Sequence, residues 1–262
     1  MKVAIYQMDI VPGQPEENRK KVRQWVGQLM QSEEIPDVIV LPEMWTTAYT
    51  LPTLDEVCEG ERNETAQFLS EMASMNNINV VGGSVATKVK DKIYNRALIF
   101  NRSGQQVHQY DKVHLVPMLD EHLYLAGGEQ KAQIFELDGV KVGVIICYDL
   151  RFPELARSLA LDGAEVLFIL AEWPEARQTH WTILQQARAI ENQMYIISSN
   201  RVGTYDGVEF CGRSYVINPW GDIIAQGTQA KEETIRATLP LENVKEVRKN
   251  VPVFKSRVPN LY

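Results

Sequence analysis

Cysteine is scarce. Only Cys58, Cys147 and Cys211 occur in 262 residues, an odd number without CxxC spacing, so neither a disulfide framework nor a zinc knuckle is expected. At least one thiol is free, which suits a reducing compartment. No apolar run approaches the ~18 residues of a membrane span, and Gln7 and Asp9 interrupt the opening segment where a signal-peptide core would lie. Basic charge is in deficit, with 27 Lys and Arg against 34 Asp and Glu. A net charge of −7 argues against general binding to nucleic acid or anionic membrane, since both depend on clustered cations. With 16 Gly and 12 Pro, collagen-like and low-complexity readings fail. These absences predict a cytoplasmic protein that binds neither nucleic acid nor membrane.

What is present is an alternation of strand and helix patterns. Residues 3–10 read as a strand. Val22, Trp25, Val26, Leu29 and Met30 then form one apolar stripe of a helix. Residues 37–41 are a short apolar run ending at Pro42-Glu43, as a strand buried on both faces reads. A second helix carries Ala66, Leu69, Met72 and Ala73, and strands are expected over 79–86, 93–101 and 107–114. The second half repeats the grammar: a hairpin over 133–137 and 140–147 around Asp138-Gly139, a helix from Pro153 to just before Gly163, and a buried strand over 166–170. A helix over 175–193 carries Trp181, Leu184, Ala187 and Ile190 on one side. Strands over 195–200, 212–218, 222–226 and 234–238 precede a Pro-punctuated tail, 250–262. Adjacent strands without intervening helices are too frequent for a TIM barrel, and no GxGxxG follows the first strand, so a dinucleotide fold is excluded. Two mixed sheets facing each other with helices outside accommodate the pattern.

Three positions draw chemical attention. Cys147 ends the apolar run 142–146 and precedes Tyr148-Asp149-Leu150-Arg151 and a helix. Backbone N–H groups and a helix dipole at such a turn favour a thiolate, and the charges of Asp149 and Arg151 argue against a sealed core. Cys58 and Cys211 read as small core residues. Glu43 stands at the mouth of an apolar strand, where burial raises a carboxyl toward the range useful for proton transfer. Lys112, in Tyr110-Asp111-Lys112-Val113-His114, would beside a thiol lower its pKa and hold an oxyanion. No histidine shows a triad signature with Cys147.

Leu41-Pro42-Glu43, Tyr110-Asp111-Lys112-Val113-His114 and Cys147-Tyr148-Asp149-Leu150-Arg151-Phe152-Pro153-Glu154 resemble, in that order, the three signatures of the nitrilase superfamily of carbon–nitrogen hydrolases. Residues 185–192 and 218–221 also look like family elements, so the likeness covers nearly the whole chain. The resemblance implies a four-layer αββα sandwich, built from one domain over 1–262. It implies Glu43 as general base, Lys112 as oxyanion stabiliser, Cys147 as nucleophile, Glu121 as a second glutamate near the site and the Tyr148 N–H as a further oxyanion donor. Asp149 and Arg151 are then expected to pair and brace the turn. No metal or organic cofactor is implied, and no HExxH spacing occurs.

Within the superfamily, residues 172–177 and 187–192 look most like bacterial omega-amidases, which remove the terminal amide of 2-oxo acid amides such as 2-oxoglutaramate. An anionic substrate calls for a cation, for which Arg177, His180 and Arg201 are candidates. Trp173 and Tyr205 are candidates for the pocket wall. Amidase action on deaminated glutathione or on an N-carbamoyl compound is the alternative. A non-catalytic scaffold with the same fold is the alternative of another class. The resemblance further implies a homodimer or higher oligomer packed through the helices near 153–160 and 175–193, with the tail 250–262 reaching a partner.

Overall fold

The computed structural model describes residues 1–60 and 64–261. The chain runs β1 (Lys2–Gln7), α1 (Pro15–Met30), β2 (Val38–Val40), α2 (Leu54–Val57), α3 (Glu64–Asn76), β3 (Asn79–Val89), β4 (Lys92–Phe100) and β5 (Gln106–Asp111). It continues β6 (Phe135–Leu137), β7 (Val140–Ile146), α4 (Pro153–Leu161), β8 (Val166–Ala171), α5 (Gln178–Asn192) and β9 (Tyr195–Asn200). A small hairpin, β10 (Thr204–Tyr205) with β11 (Val208–Glu209), precedes β12 (Tyr215–Ile217), β13 (Ile223–Gln226), β14 (Glu233–Thr238) and α6 (Glu242–Asn250).

Two six-stranded mixed sheets form, in the orders β14-β1-β2-β3-β4-β5 and β13-β12-β9-β8-β7-β6. Each has a parallel centre, β1-β2-β3 and β7-β8-β9, flanked by antiparallel strands. Side-chain alternation then builds the layers. Val3, Ile5, Val38, Val40 and Val81 point to the second sheet and join its core, whereas Ala4, Tyr6, Ile39 and Val80 pack under Val22, Trp25, Leu29, Leu69 and Met72 of α1 and α3. Leu159 and Ala156 of α4 and Trp181 and Ala189 of α5 cover the other sheet. The αββα sandwich implied by the resemblance, with the two facing mixed sheets read from the residues, is what forms.

The differences have local causes. The fifth strand ends at Asp111, three residues early, because Lys112 makes one last backbone bond to Asn95 O (2.9 Å) before the chain turns inward. The stripe expected on α5 is rotated. Trp181 is buried, but Ile190 is 54% exposed, and Gln185, Arg188, Ala189 and Asn192 face inward. Each of these polar side chains is bonded in part: Arg188 donates to Leu150 O (2.9 Å), Gln185 to Trp181 O (3.0 Å) and Asn192 to Arg188 O (3.1 Å). The hairpin β10–β11 and α6 lack periodic apolar signals long enough to read in the sequence. Along the tail, the Phe254 ring lies against Arg157 and Arg248 of its own chain, while Tyr262 lies outside the described residues.

The candidate active site

Three strand ends converge. Glu43 follows β2, Lys112 follows β5 and Cys147 follows β7, and the side chains of Glu43 and Lys112 are fully buried. The loop holding Glu43 lies tight against β3. An added Cβ at Gly83, whose φ is +65°, would sit 2.3 Å from Pro42 O, so only glycine allows the approach. This is the physical meaning of the Gly82-Gly83 pair inside a strand, a signal that marks close backbone approach. Cys147 has φ +45°, a left-handed conformation unusual for a non-glycine residue and typical of a strained turn that presents a nucleophile. Buried Asp149 braces it: its carboxylate accepts from Ile146 N (3.2 Å), Tyr110 Oη (2.7 Å) and His114 N (3.0 Å), and sits 2.8 Å from His114 Nδ1.

Lys112 Nζ is held by Glu121 Oε1 (2.9 Å), Tyr49 Oη (2.8 Å) and Glu43 Oε1 (3.1 Å). Glu43 Oε1 also accepts from Tyr49 Oη (2.5 Å) and Asn95 Nδ2 (2.8 Å), while Oε2 accepts the Glu172 N–H, at 2.8 Å. Glu121 Oε2 accepts from Val116 N (2.9 Å), which ties the loop after β5 to the site. Tyr49 and Asn95 carry no motif in the sequence and are visible only through this network.

Burial dominates the electrostatics. It pushes the Cys147 thiol well above its ordinary range; the charge of Glu43 adds to the rise, and the ammonium of Lys112 opposes both without overcoming them. The expected preformed thiolate is therefore corrected. Cys147 also opens a short 3-10 turn, and α4 begins only at Pro153. The sulfur rests as a thiol and needs a base. For Lys112, burial alone would favour loss of the proton, but Glu43 and Glu121 outweigh it and keep the ammonium charged. Burial, with the nearby negative charges, keeps Tyr49 neutral.

Asp149 and Arg151 do not pair, contrary to expectation. Arg151 lies over the Trp173 ring (4.8 Å to its centre) and the Tyr148 ring (5.6 Å), with Nη1 3.2 Å from His180 Nδ1. Among the described residues it has no carboxylate partner. Trp173 is buried and donates Nε1–H to Arg177 O (2.9 Å), while Arg177 itself is exposed and bonds Ala176 O. His180 is exposed, and Tyr205, on β10, is partly exposed. Arg201 is sealed in the interior on Glu172 Oε2 (2.9 Å), Ile10 O (3.0 Å) and Val202 O (3.1 Å), so its hydrogen-bonding capacity is turned inward. Glu172 is buried beside it, and burial pushes its carboxyl up to about 8 against the pull of Arg201. Among the described residues no group of three or more His, Cys, Asp or Glu side chains is placed to hold a metal ion. Nor is any helix there long and apolar enough to cross a membrane.

The family model for carbon-nitrogen hydrolases matches residues 2–249. The chain is 43% identical over 263 residues to a Staphylococcus aureus protein named "Hydrolase in agr operon", covering all of both. It is 41% identical over 260 residues to the 2-oxoglutaramate amidase of Bacillus subtilis (strain 168), covering 99% of this chain and 98% of that one. The crystal structure of Saccharomyces cerevisiae Nit3, a member of branch 10 of the nitrilase superfamily, superimposes with a TM-score of 0.90 at 30% identity, covering 98% and 96% of the two chains. The chain belongs to the carbon–nitrogen hydrolases of the nitrilase superfamily, and is an enzyme of that class.

Proposed function

We propose that this enzyme hydrolyses the terminal amide of a 2-oxo acid amide through a thioester on Cys147. The observation that carries the chemistry is the buried network joining Lys112 to Glu43 and Glu121, whose charges act on the Cys147 thiol. Glu43 takes the thiol proton as sulfur attacks the amide carbon. The oxyanion is held by the Lys112 ammonium and the Tyr148 N–H. Protonated Glu43 gives its proton to the leaving nitrogen, and the C–N bond breaks to release ammonia. Glu43 then deprotonates a water, which attacks the thioester; the C–S bond breaks, the acid leaves, and the proton returns to sulfur. Glu121 acts through Lys112, fixing its position and charge.

The substrate class rests on the likeness to a protein named 2-oxoglutaramate amidase, supported by one local feature. Arg151, a cation without an anion four residues beyond Cys147, meets the substrate carboxylate, with His180 beside it and Trp173 beneath. Arg177, Arg201 and Tyr205 take no direct part in this reading. Ammonia release from 2-oxoglutaramate, deaminated glutathione, N-carbamoyl amino acids and simple nitriles tests it. Preferential release from 2-oxoglutaramate is expected; silence on every 2-oxo acid amide contradicts it. Residues 1–262 are proposed to work as one cytoplasmic domain that pairs with a second copy through α4 and α5, where Leu161, Ile183 and Ile190 stand exposed, with the tail near the partner. Sedimentation of the protein and of an Ile183→Glu/Ile190→Glu variant checks this: a dimer that the substitutions split is expected, and a wild-type monomer contradicts it.

A further inference from the structure

Of the carboxylate oxygens of Glu43, Glu121 and Glu172, one is unused among the described residues. Glu43 is bonded at both oxygens and so is Glu121. Glu172 Oε2 accepts from Arg201 Nη1 at 2.9 Å, but its Oε1 is buried with no hydrogen-bond partner among the described residues. An unpartnered polar atom in a buried position costs on the order of 1–3 kcal/mol, a cost that a ligand bonded to it would offset. Its position is informative. The Glu172 main-chain N–H sits on Glu43 Oε2, within the proposed proton-transfer group, and the next residue is Trp173, whose ring lies under Arg151. Glu172 therefore stands in the chain between the group that handles the amide and the cation proposed for the far carboxylate. In a 2-oxo acid amide, the oxo oxygen lies between those two ends.

We propose that Glu172 is a specificity-determining residue whose Oε1 hydrogen-bonds the oxo oxygen of a 2-oxo acid amide seated on Cys147. This rests on the substrate class proposed above. An oxo oxygen only accepts, so Glu172 must donate. With Oε2 accepting from Arg201, the proton belongs on Oε1. The surroundings favour keeping it there. Burial and the neighbouring Glu43 charge hold the carboxyl protonated up to about pH 8, while Arg201 and Lys112 act the other way. Tyr205, on the β10–β11 hairpin, and Asp9, whose Oδ1 lies 3.7 Å from Arg201 Nη2, are further titratable groups beside this pair. Arg201 is then the positioning residue: locked on Ile10 O and Val202 O, it fixes which way the Glu172 carboxyl faces.

The test compares 2-oxoglutaramate with glutaramate, the same acid amide without the oxo group, in wild type, Glu172→Gln and Glu172→Ala. Gln keeps a donor at the Oε1 position and an acceptor for Arg201 but cannot titrate. For 2-oxoglutaramate, Glu172→Ala is expected to raise KM about tenfold with a smaller change in kcat, the size of one lost hydrogen bond. Glutaramate, followed by its inhibition constant where turnover is slow, is expected to be nearly unaffected. Glu172→Gln is expected to keep a KM near wild type. The wild-type KM for 2-oxoglutaramate is expected to rise as pH passes about 8, a rise that Glu172→Gln abolishes. Equal losses on both compounds, or a Glu172→Gln variant with the wild-type pH dependence, would overturn the assignment. Should Glu172→Ala fail to fold, the Gln variant alone decides. Wild type that cleaves glutaramate but not 2-oxoglutaramate would instead remove the substrate class, and this inference with it.

Discussion

Strands β2 and β7 each carry a charged cluster at both ends, and the two clusters share one design. At the C-terminal ends, Lys112 sits between Glu43 and Glu121; at the N-terminal ends, Arg102 sits between Asp37 and Asp138. Each is a cation bridging two carboxylates, and the Arg102 group also links the sheets, through Arg102–Asp138 (2.7 Å) and an Asn79–Asp138 bond (2.7 Å). Solvent separates them. The Arg102 side chain is 31% exposed and its carboxylates 38% and 39%, whereas Lys112, Glu43 and Glu121 are at 0%. A half-wet clamp contributes modestly and costs little to make. A dry triad costs several kcal/mol of desolvation per ion, a poor route to stability. Its persistence at the end where Cys147 lies is what function, rather than folding, would demand.

Four changes sharpen that contrast. Cys147→Ala should abolish ammonia release while leaving thermal unfolding nearly unchanged, since one small buried side chain replaces another; an ammonia assay with a melting curve checks both. Lys112→Met should lower kcat by about 10²–10³, the usual loss for an oxyanion donor, and also destabilise the fold, because Glu43 and Glu121 are left facing each other without their cation. Glu172→Gln should alter the pH dependence of stability. The folded-state pKa of Glu172 is raised from 4.5 to about 8, so its contribution is fully present below about 4.5 and is lost as pH rises to about 8. The variant's unfolding free energy, measured in denaturant across that window, should fall less with pH than the wild type's. Arg102→Ala should be the mildest, about 0.5–1 kcal/mol of stability with an unchanged kcat, and its effect should shrink in high salt.

The same contrast explains what could be read in advance. Glu43, Lys112 and Cys147 were legible because each ends or follows an apolar strand within a recognisable run of residues. Glu121 came only through the family resemblance, since a glutamate in a loop has no local pattern of its own. Tyr49 and Asn95 had none either, because their roles exist only once strands 46 to 69 residues apart in sequence converge on Lys112 and Glu43. The rotation of α5 was illegible for a related reason. Gln185, Arg188 and Asn192 are polar by composition and interior by bonding, and periodicity weighs composition alone. Arg201 reads as a candidate anion receptor in the sequence because a sequence shows a cation but not the glutamate beside it.

The central claim is that a thiol, deprotonated only as it attacks, carries the acyl group of the substrate. Acid-quenching the enzyme during turnover and measuring its intact mass tests this most directly. The account predicts a species heavier by the acyl group, located on the peptide containing Cys147, formed in wild type and missing from Cys147→Ala. Sustained turnover with no such adduct, or ammonia release that survives in Cys147→Ala, would contradict it.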